Sequence, residues 1–149
     1  MNRQVDPLSV AIVEDGTDIV DAISLGFGVG KPETKIHHFH DGEEVIEFVG
    51  CSQPNIVVID TYSNAESRLE LIKSIRLFSE VPILVVNRNA EISTQAMDLG
   101  VNDVITNPFN LSDLFMKICL LINKTQYFIN RFFEDGVLSI SKMGHFFNR

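Results

Sequence analysis

Three acidic side chains each close an apolar run. Glu14-Asp15 follows Leu8-Ser9-Val10-Ala11-Ile12-Val13, and Asp60 follows Asn55-Ile56-Val57-Val58-Ile59. Near-continuous Val, Ile and Leu marks strands buried on both faces of a parallel sheet, and ligands collect outside the carboxyl ends of such strands. The three acids would then form one cluster. Like charges a few ångströms apart repel strongly unless a cation neutralises them or one takes a proton, and an all-oxygen set suits Mg2+. The chemistry to expect is a metal-dependent phosphoryl site. The plainer reading is that acids simply end strands and cap helices, which Asp does often.

The elements that must position this cluster alternate regularly. Strand-like runs at 8–13, 34–39, 55–60, 82–86 and 102–106 are separated by helix-periodic segments, the pattern of βαβ units in a parallel sheet. The clearest helix is 110–123, where Leu111, Leu114, Phe115, Ile118, Leu121 and Ile122 recur on one face and Asn110 can cap the start. Leu69, Ile72 and Ile75 mark a helix after Asp60. Ile92, Ala96 and Leu99 mark another, which Gly100 should terminate. Asp41-Gly42-Glu43-Glu44 makes a turn that puts acids in the first turn of the next helix, where the dipole favours them. The count is (βα)5. Residues 125–149 break the rhythm: 125–131 reads as a junction, and 132–140 as a turn running into a short strand that cannot be stable alone.

Bulk composition narrows the function. The 149 residues suit about one domain, and 45% hydrophobic with 21% charged content is that of an ordinary globular chain. A formal net charge of -8 argues against nucleic-acid binding by the bulk of the chain. The two cysteines imply no disulfide framework, the opening Met-Asn-Arg-Gln-Val-Asp lacks the apolar stretch of a secretory signal, and no run reaches membrane-span length. A cytoplasmic location with no membrane contact is expected.

Taken together, Glu14-Asp15, Asp41-Gly42-Glu43-Glu44, Asp60, Val81-Pro82-Ile83-Leu84-Val85-Val86, Leu99-Gly100-Val101-Asn102-Asp103 and Asn107-Pro108-Phe109 resemble the receiver domain of bacterial response regulators over roughly residues 7–124. The resemblance implies a doubly wound, flavodoxin-like (CheY-like) α/β fold with strand order 2-1-3-4-5. It also implies that Asp60 is the phospho-accepting aspartate, Asp15 a Mg2+ ligand, Glu14 an outer-sphere ligand acting through water, and the Tyr62 backbone carbonyl a further ligand. A sensor histidine kinase would be the donor. Asp103 and Lys117 match a pair that bridges protomers when the fourth helix, fifth strand and fifth helix form a symmetric dimer. The tail at 125–149 resembles a linker and the first strand of a winged-helix output domain that this sequence does not contain, so DNA would be reached only through that domain. The alternative is a private extension that packs on the receiver or mediates dimer contacts. The Asn107-Pro108 bond is expected to be cis.

Several residues depart from the family pattern. Asn107 stands where Lys is usual, Asn87 where Thr or Ser is usual, Val104 where an aromatic switch residue is usual, Asn64 where Pro is usual and Arg68 where Gly is usual. Asn donates hydrogen bonds without charge, so phosphoryl stabilisation should weaken, and Arg68 would restore some positive charge. The loop after Asp60 should differ in shape. These departures favour a competing reading: a phosphorylation-independent pseudo-receiver acting as a constitutive interaction or dimerisation module. A phosphohydrolase with an aspartyl nucleophile would commonly need a second acid two residues after it, and Tyr62 occupies that position. His38 and His40 share a strand face at a spacing that could bind Zn2+, but no further ligands accompany them, which makes an exposed edge pair the better reading. Cys51 and Cys119 read as small hydrophobes.

Overall fold

The computed structural model describes residues 7–122. Five strands alternate with five helices: β1 (Ser9–Val13), α1 (Asp18–Gly30), β2 (Lys35–Phe39), α2 (Gly42–Ser52), β3 (Ile56–Asp60), α3 (Ala65–Arg76), β4 (Ile83–Asn87), α4 (Ala90–Asp98), β5 (Asp103–Thr106) and α5 (Leu111–Ile122). All strand pairs are parallel, in the order β2-β1-β3-β4-β5. This is the expected flavodoxin-like arrangement, with strand limits within a residue of those read from the apolar runs. The expected junction and strand beyond residue 124 lie outside the described residues.

Strand alternation divides the core into two layers. Val10, Ile12, Ile56, Val58, Leu84, Val86 and Ile105 pack under Ile19, Ile23 and Phe27 of α1 and Leu114, Ile118 and Ile122 of α5. Ala11, Val13, Val57, Ile59, Ile83 and Val85 pack under Val45 and Val49 of α2, Leu71, Ile72 and Ile75 of α3, and Ala96 of α4. Successive side chains point to opposite faces, so the apolar residues of the central strands are buried on both sides and polar groups sit only at the strand ends.

Helix ends follow local chemistry. Asp41 accepts from the Glu43 N–H at 3.0 Å and Asn89 from the Glu91 N–H at 2.8 Å, each capping the helix it precedes. Gly100, at φ +98, ends the α4 segment as expected. At the amino end of the sheet Arg76 bonds three partners: the Gly100 carbonyl at 2.9 Å, the Ser79 carbonyl at 3.1 Å and Asn102 Oδ1 at 3.0 Å. Asn102 Oδ1 also accepts from the Ile83 N–H at 2.9 Å. One guanidinium thus joins the end of α3, the start of β4 and the loop into β5.

Gly26 lets α1 approach α5. A Cβ there would lie 2.8 Å from Cδ2 of Phe115, whose ring packs edge-on against Phe27 at 5.0 Å. Gly26→Ala should therefore lower unfolding free energy by about 1 kcal/mol, overpacking outweighing the gain in helix propensity. Gly28→Ala, with nothing within 4 Å, should raise it by up to about 1 kcal/mol. Urea unfolding of the two variants checks the opposite signs.

Candidate functional site

The acids read from the sequence gather at the carboxyl edge of β1 and β3, but their side chains are engaged differently. Glu14, 3% exposed, turns toward α1: its carboxylate accepts from the Ile19 N–H at 2.9 and 3.1 Å and from the Val20 N–H at 3.1 Å. Thr17, at the cap position, makes no side-chain cap bond, so Glu14 satisfies the amides that the cap leaves open. Here the plain helix-capping reading describes the side chain. The Glu14 carbonyl accepts from His38 Nε2 at 2.8 Å.

Asp15 is held by the loop after β3. Arg68 NH2 lies 3.0 Å from its Oδ1, while Ser63 Oγ and, at 3.4 Å, Asn64 Nδ2 donate to its Oδ2. The Arg68 side chain is only 4% exposed, against 43% for Asp15. Asn64 explains how the arginine gets there. Its φ of +70 is a left-handed conformation that Asn tolerates and that the fixed ring of Pro forbids. The turn makes Asn64 the cap of α3, with the Arg68 N–H on its carbonyl at 3.0 Å. Helical side chains lean toward the amino terminus, and Arg68 in the first turn of α3 leans onto Asp15.

Asp60 ends β3 half-buried, with its Oδ1 accepting from the Tyr62 N–H at 3.1 Å. Burial pushes its pKa above the ordinary carboxylate value, and the negative charges of Glu14 and Asp15 add to the rise; the Tyr62 amide and the Arg68 charge oppose it. Tyr62 projects outward, 63% exposed, and Arg88 from the β4–α4 loop stacks over its ring at 3.9 Å.

Asn87 closes β4 at 1% exposure and donates through Nδ2 to Ser93 Oγ of α4 at 2.6 Å, leaving its Oδ1 buried without a partner. Its carbonyl accepts from the Asn107 N–H at 2.6 Å, so both asparagines sit side by side at the ends of β4 and β5. The Asn107-Pro108 bond is cis, as expected. Val104 is half-buried in β5 against the α2–α3–α4 layer. Lys117 and Asp103 pair within the chain at 2.9 Å, both partly exposed.

His38 and His40 do share a face, ring centroids 4.3 Å apart. Among the described residues no three His, Cys, Asp or Glu side chains converge as a metal site. Cys51 is exposed, and burial pushes the Cys119 thiol up to about 12, making it an inert core residue. Sequence reasoning missed the contacts of Ser63, Ser93 and Arg88. Their only signal is position, one to three residues beyond a strand end or in the first turn that follows, where side chains face the site.

Comparison with known proteins agrees with this architecture. A family model described as the response regulator receiver domain matches residues 10–119. The chain is 35% identical over 96 residues to the transcriptional regulatory protein KdpE of Staphylococcus aureus, a stretch covering 62% of this chain and 42% of that protein. The chain therefore spans less than half the length of that relative. The receiver domain of the TMAO respiratory system response regulator TorR superposes with a TM-score of 0.69 at 20% identity, covering 79% of this chain and 98% of the other. A response regulator from Thermotoga maritima gives 0.66 at 21% identity, covering 78% and 98%. At these identities the structural likeness speaks for the fold alone. Among the described residues no helix is long and apolar enough to cross a membrane. With the matched segment running from β1 into α5, the chain belongs to the response regulator receiver domain family, whose members are signalling modules rather than enzymes.

Proposed function

We propose that this receiver accepts a phosphoryl group on Asp60 from a phosphohistidine of a sensor histidine kinase, and that the modification controls dimerisation through α4, β5 and α5 and the activity of an output domain, a transcriptional one by analogy with the S. aureus relative. The observation that carries the reading is Asp60 itself: a half-buried carboxylate at the end of β3, held by the Tyr62 amide and beside Asp15. Burial and neighbouring acids make it more basic than an exposed aspartate, and a more basic carboxylate is a better nucleophile. Its oxygen attacks phosphorus as the P–N bond breaks, and the electron pair leaves on the imidazole nitrogen, which takes a proton.

The donor set fits Mg2+, which needs only one or two carboxylates with phosphate and water. Asp15, Asp60 and the Tyr62 carbonyl would hold it, with Glu14 reaching it only through water. When bound, the ion supplies positive charge to the phosphoryl oxygens. Asn87 and Asn107 take the positions of the usual hydroxyl and lysine, giving hydrogen bonds without charge.

Phosphorylation by a small phosphodonor, read by intact mass with Asp60→Ala as control, tests this. An adduct of one phosphoryl group in the wild type alone is expected. The Asn87 to Ser93 bond favours a second reading, a phosphorylation-independent interaction module, because it already ties the end of β4 to α4. No adduct in the wild type would select that reading.

A further inference from the structure

We infer that the Arg68 guanidinium is the resident counter-ion of the acidic cluster and that it and a divalent cation exclude one another at Asp15. The inference rests on the reading above, that Asp15 and Asp60 form the cation site.

Arg68 is 3% exposed, yet only part of its donor fork is used. NH2 reaches Asp15 Oδ1 at 3.0 Å and the His40 carbonyl at 3.5 Å, while Nε is buried with no hydrogen-bond partner. Taking a guanidinium out of water with an N–H unmatched is unfavourable unless nearby negative charge compensates it. Asp15 supplies that charge by direct contact. The arginine is thus where a cation is wanted. It arrives on the peptide backbone rather than from solution.

Both oxygens of Asp15 are also engaged. Oδ1 holds Arg68, and Oδ2 accepts from Ser63 and Asn64. A divalent ion on Oδ1 takes the place of the guanidinium outright, and one on Oδ2 displaces the Ser63 and Asn64 donors and sets a second positive charge against Arg68 across the same carboxylate. Binding therefore requires Arg68 to leave, and the measured affinity is the intrinsic one reduced by the fraction of molecules in which it has left. The site has two mutually exclusive states, one closed by Arg68 and one open to the ion.

Mg2+ titration by calorimetry on the full chain, with Mn2+ binding by electron paramagnetic resonance as a second probe, distinguishes the possibilities. Arg68→Met, which keeps the volume and removes the charge, is expected to bind at least about tenfold more tightly than wild type. Arg68→Lys, which keeps a charge but lacks the planar fork, is expected to fall between them. In the wild type, the 15Nε signal of Arg68 should shift as Mg2+ is added, a change that does not depend on any variant folding. Equal affinity in wild type and Arg68→Met, with no movement of the Arg68 signal, would overturn the competition while leaving the cation site standing. Absence of binding in both proteins would remove the cation site, and the inference with it.

Discussion

Asp15→Ala is expected to lower the unfolding free energy by about 1–2 kcal/mol, because it strands the buried Arg68 guanidinium, a loss that the 43% exposure of Asp15 keeps below that of a fully buried pair. The sign is the informative part. In a cluster of three acids with no internal cation, deleting one relieves repulsion and stabilises the fold. Here the deletion leaves the Arg68 guanidinium, 4% exposed, without its ion-pair partner and with an Nε already unmatched. Adding Arg68→Met to Asp15→Ala should restore most of the loss, since a flexible apolar chain of similar length fills the space without charge. Urea unfolding of the two single variants and the double variant measures the coupling as a cycle. A neutral or stabilising Asp15→Ala would mean that the arginine is not held by this carboxylate.

Asn107→Lys is expected to accelerate phosphoryl uptake on Asp60 by ten- to hundredfold. A charge-assisted bond to a phosphoryl oxygen is roughly twice as strong as a neutral one, and each 1.4 kcal/mol is about a factor of ten in rate. The position is prepared for the change, because the Asn107 N–H is fixed on the Asn87 carbonyl at 2.6 Å. Asp60 should respond as well. Its pKa is raised chiefly by burial and then by Glu14 and Asp15, so a nearby ammonium should lower it and move the onset of reactivity to lower pH. Rates of adduct formation across pH, measured by intact mass, check both effects. An unchanged rate would show that the amide already does what the lysine does elsewhere.

The fold was legible because its signals are local. Val10 to Val13 and Ile56 to Ile59 are apolar at every position, which only a strand covered on both sides requires, and the acids that follow mark the edge where the helices begin. The stop at Gly100 and the turn at Asp41-Gly42 are likewise written in one or two residues, whereas the cis Asn107-Pro108 bond follows from the family resemblance. What escaped depends on rotamer and on distant partners. The bonds of the Glu14 carboxylate to the amides of Ile19 and Val20 are not legible from its place in the chain. The expectation that Arg68 adds positive charge was correct in kind, but its target follows from the left-handed Asn64, which no periodicity reveals. The bond that the Asn87 amide makes to Ser93 depends on a partner six residues on and is not legible from position alone. The pairing of Lys117 with Asp103 inside one chain is a further contact that their types and spacing alone do not announce.

The bonds of Arg76 to Gly100, Ser79 and Asn102 lie at the opposite end of the sheet from the acids. They give the molecule a stiff heel and leave its compliance at the toe. A disturbance at the acidic edge cannot be absorbed by sliding β4 against β5, because Asn102 anchors both where Arg76 grips it. It is expected to fall on the loops and the near end of α4, since the far end is tied down at Gly100. Amide hydrogen exchange should accordingly be slowest at Ile83 and Asn102 and quicken toward Asn87.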